Sequence, residues 1–385
     1  MANDLISTLL FIVAFWVILY ILAKIFAWEK RGIIVEPFYL MLKTSFLNER
    51  LNFFSKNREK IWRAIWNVGI IVAFGQMAFI IYFLTNNIIE LVNRTPQAAG
   101  MVPILPGITI GFETLPYFII ALAIVLITHE FAHAIAGLVD NIPLKSAGLF
   151  FVFIIGGGFV ELDEEKLEQS SLRTKLRVFS AGSSTNIAVW GIVTLLFLNF
   201  GTIISPCYDG PSGIIVAGVI EDGGASQADI QKWDIIYSIN NQPINDVNDL
   251  AEFMSQVKPG TILILNTDRG DVNIKTKPHP QDSTRALLGI YPFPYYESRL
   301  GIAPKELPYH LYWTGYWTST LLLWIAIFNM LPLFPLDGDK MIYSVVSSKS
   351  KKAARIIRVS VGAVFLAIVV LNMALSYMNF GFMTI

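Results

Sequence analysis

Residues 117–139 read YFIIALAIVLITHEFAHAIAGLV. A bilayer core of about 30 Å needs roughly 20 apolar residues in a helix, and this run meets that length. Yet it carries His129, Glu130 and His133. An ionisable side chain at mid-membrane costs on the order of 2.5–3.5 kcal/mol on insertion scales, so such groups tend to mark function. The H-E-x-x-H spacing puts both imidazoles on one helix face, within reach of one metal ion, with Glu130 beside them to handle water. The bland alternative, two histidines satisfied in a core, weakens inside a span. If the helix begins at Tyr117, His129 lies roughly 18 Å along it at about 1.5 Å per residue. That depth is past the bilayer midplane.

The rest of the chain agrees with a membrane reading. Of 385 residues, 54% are hydrophobic and 15% charged, and mean hydropathy is +0.55. These values predict a polytopic membrane protein. With 29 basic and 29 acidic residues, no basic field argues for a nucleic-acid partner. The single cysteine, Cys207, excludes an intramolecular disulfide framework and a cysteine-rich zinc site. The run Leu5–Ala23 follows Asp4 with no basic segment before it, so it is read as a retained first helix and not a cleaved signal.

Six segments are expected to span, at about 5–27, 65–93, 117–139, 178–204, 312–334 and 355–378. Two stretches break the pattern. Ala147–Leu162, AGLFFVFIIGGGFVEL, is too short to cross and is interrupted by Gly156, Gly157 and Gly158. It fits a strand pair dipping into the membrane or an ordinary short helix. From about Tyr208 to Pro280, short alternating runs (213–219, 235–239, 262–266 and 272–276) are separated by turn residues, with one helix over 245–257. This is a compact β-rich insert.

Eight Lys/Arg lie between Lys30 and Arg63, whereas 94–116 carries only Arg94. Basic residues recur at Lys145–Arg177 and Lys340–Arg358. The positive-inside rule then sets these loops in the cytosol, with both termini and the insert outside and the histidine site towards the cytosolic half.

A catalytic zinc usually keeps three protein ligands and one open position, so two histidines need a companion. Asp337, in NMLPLFPLDGDK, is expected at the end of the fifth span, after Pro332 and Pro335 break it. An acid at such a break suits a polar cavity, or is simply an interfacial acid. Asn329 and Asn186 are further polar groups within spans. Either could donate to a developing oxyanion, or join helix to helix.

These residues resemble the site-2 protease family of intramembrane zinc metalloproteases, peptidase family M50. The resemblance rests on HEFAH in a span and on NMLPLFPLDG, with AGSSTN similar to a third motif in which Ser183 stands where proline is usual. The insert resembles a PDZ domain, with Trp233 before Asp234 where Gly-Asp is common. The likeness covers about 117–345. It implies one Zn2+ held by His129, His133 and Asp337, Glu130 as catalytic base, Asn329 as an oxyanion or substrate-strand partner, and 147–162 as a re-entrant β-element beside the substrate. The Ser183 departure leaves Asn186 as a further candidate polar site. The expected architecture is a polytopic α-helical membrane protein of about six transmembrane helices with a small extramembrane PDZ-like α+β domain. Its parts are 1–116, 117–206, 207–280, 281–345 and 346–385.

The implied function is hydrolysis of transmembrane protein substrates within or near the bilayer, after another protease has trimmed them. The PDZ-like domain is expected to take a peptide C-terminus or segment. The expected location is the plasma membrane of a prokaryote, with the lipid bilayer as the other partner. Two rivals stand beside this: a catalytically silent scaffold or receptor, whose sign would be a lost Glu130 or ligand, and a metal transporter, which needs neither Glu130 nor a peptide-binding insert.

Overall fold

The computed structural model describes residues 2–44, 48–104, 109–152 and 155–381. The chain divides into two compact units, Met1–Ile192 with Trp317–Ile385, and Val193–Tyr316.

The first unit opens with helix α1 (Ala2–Ile25), strands β1 (Ile33–Glu36) and β2 (Tyr39–Thr44) and helix α2 (Asn48–Lys56). Then come the long helices α3 (Glu59–Asn93) and α4 (Leu115–Val139). Pro116 stands in the first turn of α4, where its missing N–H costs nothing. Strands β3 (Leu144–Val152) and β4 (Ile155–Leu162), helix α5 (Glu164–Gln169) and helix α6 (Leu172–Leu198) follow. The described residues of 147–162 thus lie in an antiparallel strand pair, and the short-helix alternative falls away.

That pair is half of a four-stranded sheet, ordered β1-β2-β3-β4. Glycine makes the close approaches possible. A Cβ on Gly148 would lie 1.9 Å from the Leu42 carbonyl oxygen, and one on Gly157 2.4 Å from the Phe150 ring opposite it. The basic segment after α1, expected as a plain loop, supplies β1, β2 and α2.

The second unit carries the end of α6, helix α7 (Phe200–Ile204), strand β5 (Tyr208–Val219), the single turn α8 (Gly224–Gln227), strands β6 (Ile235–Ile239) and β7 (Gln242–Pro243) and helix α9 (Val247–Ser255). Strands β8 (Ile262–Thr267), β9 (Gly270–Lys275), β10 (Lys277–His279), β11 (Asp282–Leu287) and β12 (Ile290–Ser298) complete it. The main sheet runs β12-β5-β6-β8-β9. Alternating residues such as Ile214, Val216, Ile236, Leu263 and Leu265 form its buried face. The sheet extends beyond residue 280, because β12 pairs with β5. Trp233 has φ +76°, a left-handed conformation that favours glycine, and its ring packs on Tyr309 and His310.

Helix α10 (Leu307–Phe328) returns the chain to the first unit, followed by α11 (Asp337–Ser347) and α12 (Lys351–Phe380). Among the described residues, four helices are long and apolar enough to cross a membrane: α3, α4, α6 and α12. Six were expected. The fifth expected span, 312–334, counted residues beyond the end of α10, and the first half of α10 is rich in Tyr, Trp and Thr. In α1, the apolar helix described with side chains is the shorter Val13–Ile25. Asp337 does not end a span. It begins α11, after a non-helical break that holds Pro332 and a cis Phe334–Pro335 bond.

Candidate metal centre

The last turns of α4 are held at their far end by charge. Asp140, just past the helix, accepts from Arg63 Nε of α3 at 3.1 Å and from Arg177 Nη1 of α6 at 3.0 Å. Its side chain is 6% exposed, so breaking either pair would leave a buried charge uncompensated. The clamp ties α3, α4 and α6 together about two turns from His133.

On the inner face of α4, His129 and His133 are buried, as is Asp337 at the start of α11. His129 Nε2 lies 3.1 Å from His133 Nε2 and 3.1 Å from Asp337 Oδ2, and His133 Nε2 lies 3.0 Å from the same oxygen. Three donor atoms therefore form a triangle with edges of 3.0–3.1 Å. A tetrahedral ion with bonds of roughly 2.0–2.1 Å has ligand–ligand edges of about 3.3 Å. The donor set fits a zinc-sized cation. It is also the one group of three or more His, Cys, Asp or Glu among the described residues placed to hold one.

Each donor has a neighbour that orients it, as metal-ligating side chains generally do. His133 Nδ1 donates to the Val178 carbonyl of α6 at 2.6 Å, which leaves Nε2 as the free lone pair. The Asn186 amide sits 3.3 Å from His129 Nδ1 and 2.9 Å from Thr128 Oγ1. For Nε2 to keep its lone pair, Nδ1 must carry the proton, so the amide turns its oxygen to accept from Nδ1 and its NH2 to Thr128. Lys340 Nζ donates to Asp337 Oδ1 at 3.0 Å, so Oδ2 is the oxygen turned to the imidazoles. Asn329 Nδ2 stands 2.9 Å from His129 Nε2 and 3.0 Å from Asp337 Oδ2, beside the triangle.

Glycines let the backbones close round this group. A Cβ on Gly182 would lie 2.5 Å from the Nε2 atoms of both histidines, so only glycine lets α6 pass there. A Cβ on Gly338 would meet the Met330 carbonyl oxygen at 2.2 Å, and the Gly338 N–H donates to Asn329 O at 3.0 Å. The LDG glycine thus seats the start of α11 on the end of α10. Glu130 is half-buried. Its Cγ lies 3.1 Å from where a Cβ on Gly158 would stand, so β4 runs past Glu130 at a glycine.

The structure therefore gathers His129, His133, Asp337, Asn329 and Asn186 in one place. Sequence reading missed Val178, Gly182 and Lys340. Gly182 lay inside the quoted AGSSTN. Lys340 is three residues from Asp337 at a helix start, a spacing that puts the two side chains on one face. Val178 contributes only its carbonyl, so no side-chain pattern marks it. Ser183, where proline is usual in the third motif, leaves α6 unbroken, and its buried hydroxyl has no hydrogen-bond partner among the described residues.

Residues 117–371 match the model of peptidase family M50. An uncharacterized protein of Methanocaldococcus jannaschii is 30% identical over 283 residues, which cover 72% of this chain and 70% of that one. The membrane-bound transcription factor site-2 protease homolog of Arabidopsis thaliana is 21% identical over 186 residues, 47% of this chain and 36% of its own length. Among solved structures, the PDZ domain of an SdrC-like protein of Listeria monocytogenes covers 21% of this chain and 87% of its own, at 19% identity and a TM-score of 0.19. That score is too low for any conclusion to rest on.

Proposed function

Because the chain belongs to peptidase family M50, a family of membrane metalloproteases, we propose that it is a zinc endopeptidase that hydrolyses transmembrane protein substrates within or near the bilayer. His129, His133 and Asp337 are its zinc ligands and Glu130 its catalytic base. The observation that carries this reading is the convergence of three buried donor atoms, 3.0–3.1 Å apart, beside a glutamate on the same helix.

When bound, the ion supplies a Lewis acid for the scissile carbonyl and a lowered pKa for the attacking water. Glu130 takes the proton from that water and returns it to the leaving amine. Asn329, an amide donor at the rim of the triangle, is placed to hydrogen-bond negative charge that develops on the carbonyl oxygen. Asn186 and Val178 hold the two imidazoles in orientation, and Lys340 holds the carboxylate.

A helical substrate hides its carbonyls, so it must be unwound before cleavage. β4 ends the sheet order and runs past Glu130, and its outer edge suits an added substrate strand. Basic residues cluster near the start of α3, the end of α4 and the starts of α6 and α12. This supports a cytosolic placement of those ends in a prokaryotic plasma membrane, with His133 six residues, or roughly 9 Å, from the C-terminal end of α4.

The second unit is read as a PDZ-like module outside the membrane. Strand addition at β12 is disfavoured. Val216 spends its N–H and C=O on Asp234 and Trp233, so its partner Pro292, and Pro294 two residues on, turn towards the open edge, where neither has an N–H to donate. A peptide partner there is held by its side chains.

The decisive experiment is Glu130→Gln in the full chain, purified with its metal. Zinc content should match wild type while cleavage of a transmembrane substrate stops. Retained cleavage would sink the assignment of the base, and lost zinc would make Glu130 a ligand.

A further inference from the structure

Helix α12 carries a feature the protease reading does not use. Lys349, Lys351, Lys352 and Arg355 are exposed, and none has an acidic partner among the described residues. Three neighbouring basic residues lining or near the metal centre are paired instead: Arg358 with Asp339 at 2.6 Å, Lys340 with Asp337 at 3.0 Å, and Arg177 with Asp140 at 3.0 Å. Directly along the helix lies an apolar groove of about 440 Å3. One wall is Leu333 and Phe334, from the break before α11, and the other is Val359, Gly362 and Leu366 of α12.

Helical spacing joins the two features. Lys351, Arg355, Arg358, Gly362 and Leu366 follow one another at intervals of four, three, four and four, which keeps them on one face. Arg355 and Leu366 are eleven residues apart, or roughly 16 Å. The cations stand at the start of a helix long and apolar enough to span, the level of a lipid headgroup, and the groove runs from there into the apolar stretch. Arg358 sits between the two with its charge already met by Asp339 and its guanidinium over the Phe334 ring, 4.8 Å from the centroid. The groove floor at Gly362 is open, since a Cβ there would meet nothing within 4 Å.

We propose that this stripe is a binding site for one anionic phospholipid. Its phosphate is held by Lys351, Lys352 and Arg355, and an acyl chain lies between Phe334 and the Val359–Leu366 face. Charge selects the ligand, because a zwitterionic headgroup offers these unpaired cations no net counter-charge. A basic residue at an anionic surface strengthens binding by a factor of about 5, so three give roughly 100-fold.

The test uses the full chain in detergent, titrated with phosphatidylglycerol or phosphatidylcholine and read by native mass spectrometry. Wild type should retain one phosphatidylglycerol with a preference of roughly 100-fold. The triple variant Lys351→Gln, Lys352→Gln, Arg355→Gln should lose the preference. A control with the same charge change elsewhere, Lys30→Gln, Arg31→Gln, Lys60→Gln, should keep it. Gly362→Leu, whose Cβ would meet no protein atom within 4 Å and whose side chain extends into the groove, should weaken retention with every cation in place. Thermal unfolding of each variant confirms that it is folded. Equal binding of the two lipids by wild type, a preference that survives the triple variant, an equal loss in the control, or an unaffected Gly362→Leu would each overturn the proposal.

Discussion

Replacing Gly182 with alanine should empty the metal centre without unfolding the protein. The added Cβ would stand 2.5 Å from the Nε2 atoms of His129 and His133, against about 3.4 Å for an ordinary contact. The methyl group must therefore drive imidazoles or helix about 0.9 Å apart, whereas metal–ligand distances tolerate about 0.2 Å. His133 cannot yield freely, because its Nδ1 is tied to Val178 O on α6 itself. Disturbing groups that only orient a ligand costs about 10–100-fold in metal affinity. Displacing two ligands together should reach at least the upper figure. Folding responds differently. Within a helix, alanine is favoured over glycine by about 0.8–1.0 kcal/mol, which offsets part of an overpacking strain of about 1–3 kcal/mol. The expected pattern is a melting temperature within a few degrees of wild type and a zinc stoichiometry near zero after mild chelation. Elemental analysis of purified protein, run beside a thermal melt, reads both. Zinc held as tightly as in wild type would refute the packing of α6 against the two histidines, and with it the reading of AGSSTN as part of the site.

Further outcomes follow from the same geometry. Gly158→Ala places a Cβ 3.1 Å from Glu130 Cγ, about 0.3 Å short of ordinary contact. Zinc should stay bound while cleavage falls about fourfold, the share of a roughly 100-fold loss per ångström that such a shift implies; a loss of zinc would place the damage elsewhere. In the second unit, burial raises the Asp268 carboxyl, but the Ile235 amide and Lys305 outweigh it and hold it below its usual range. A depressed carboxyl stabilises the fold above its unfolded pKa of about 3.9 and loses that contribution as pH falls through the folded value. Asp268→Asn should therefore remove an acid-side decline in hydrogen-exchange protection around Ile235, and an unchanged profile would dismiss the pair. For topology, in a chain with Cys207→Ser, Ser226→Cys should react with an impermeant thiol reagent on intact cells and Ser348→Cys should not. The reverse pattern would invert the orientation.

The sequence by itself marked the residues of the candidate metal site and most of the elements. HEFAH within an apolar run marked the helix that carries the candidate metal site, because a helix sets residues four apart on one face whatever surrounds it. The alternating runs of the insert returned as β5, β6, β8 and β9, because half-buried strands print a period of two in the chain. What local pattern could not decide was partnership. Strands β1 and β2 lie in a segment whose lysines and arginines read as a loop, and only pairing with β3, more than 100 residues on, makes them a sheet. The end of α10 and the start of α11 were also out of reach. An apolar composition continues from Phe328 to Leu336, and what stops the helix is the break at Pro332 and Pro335, with Gly338 seated on Met330. The groups that orient the metal donors belong to tertiary structure as well. A backbone carbonyl at Val178 and the bare Cα of Gly182 have no side chain to announce them, and they matter only because α6 crosses α4 where the two histidines stand.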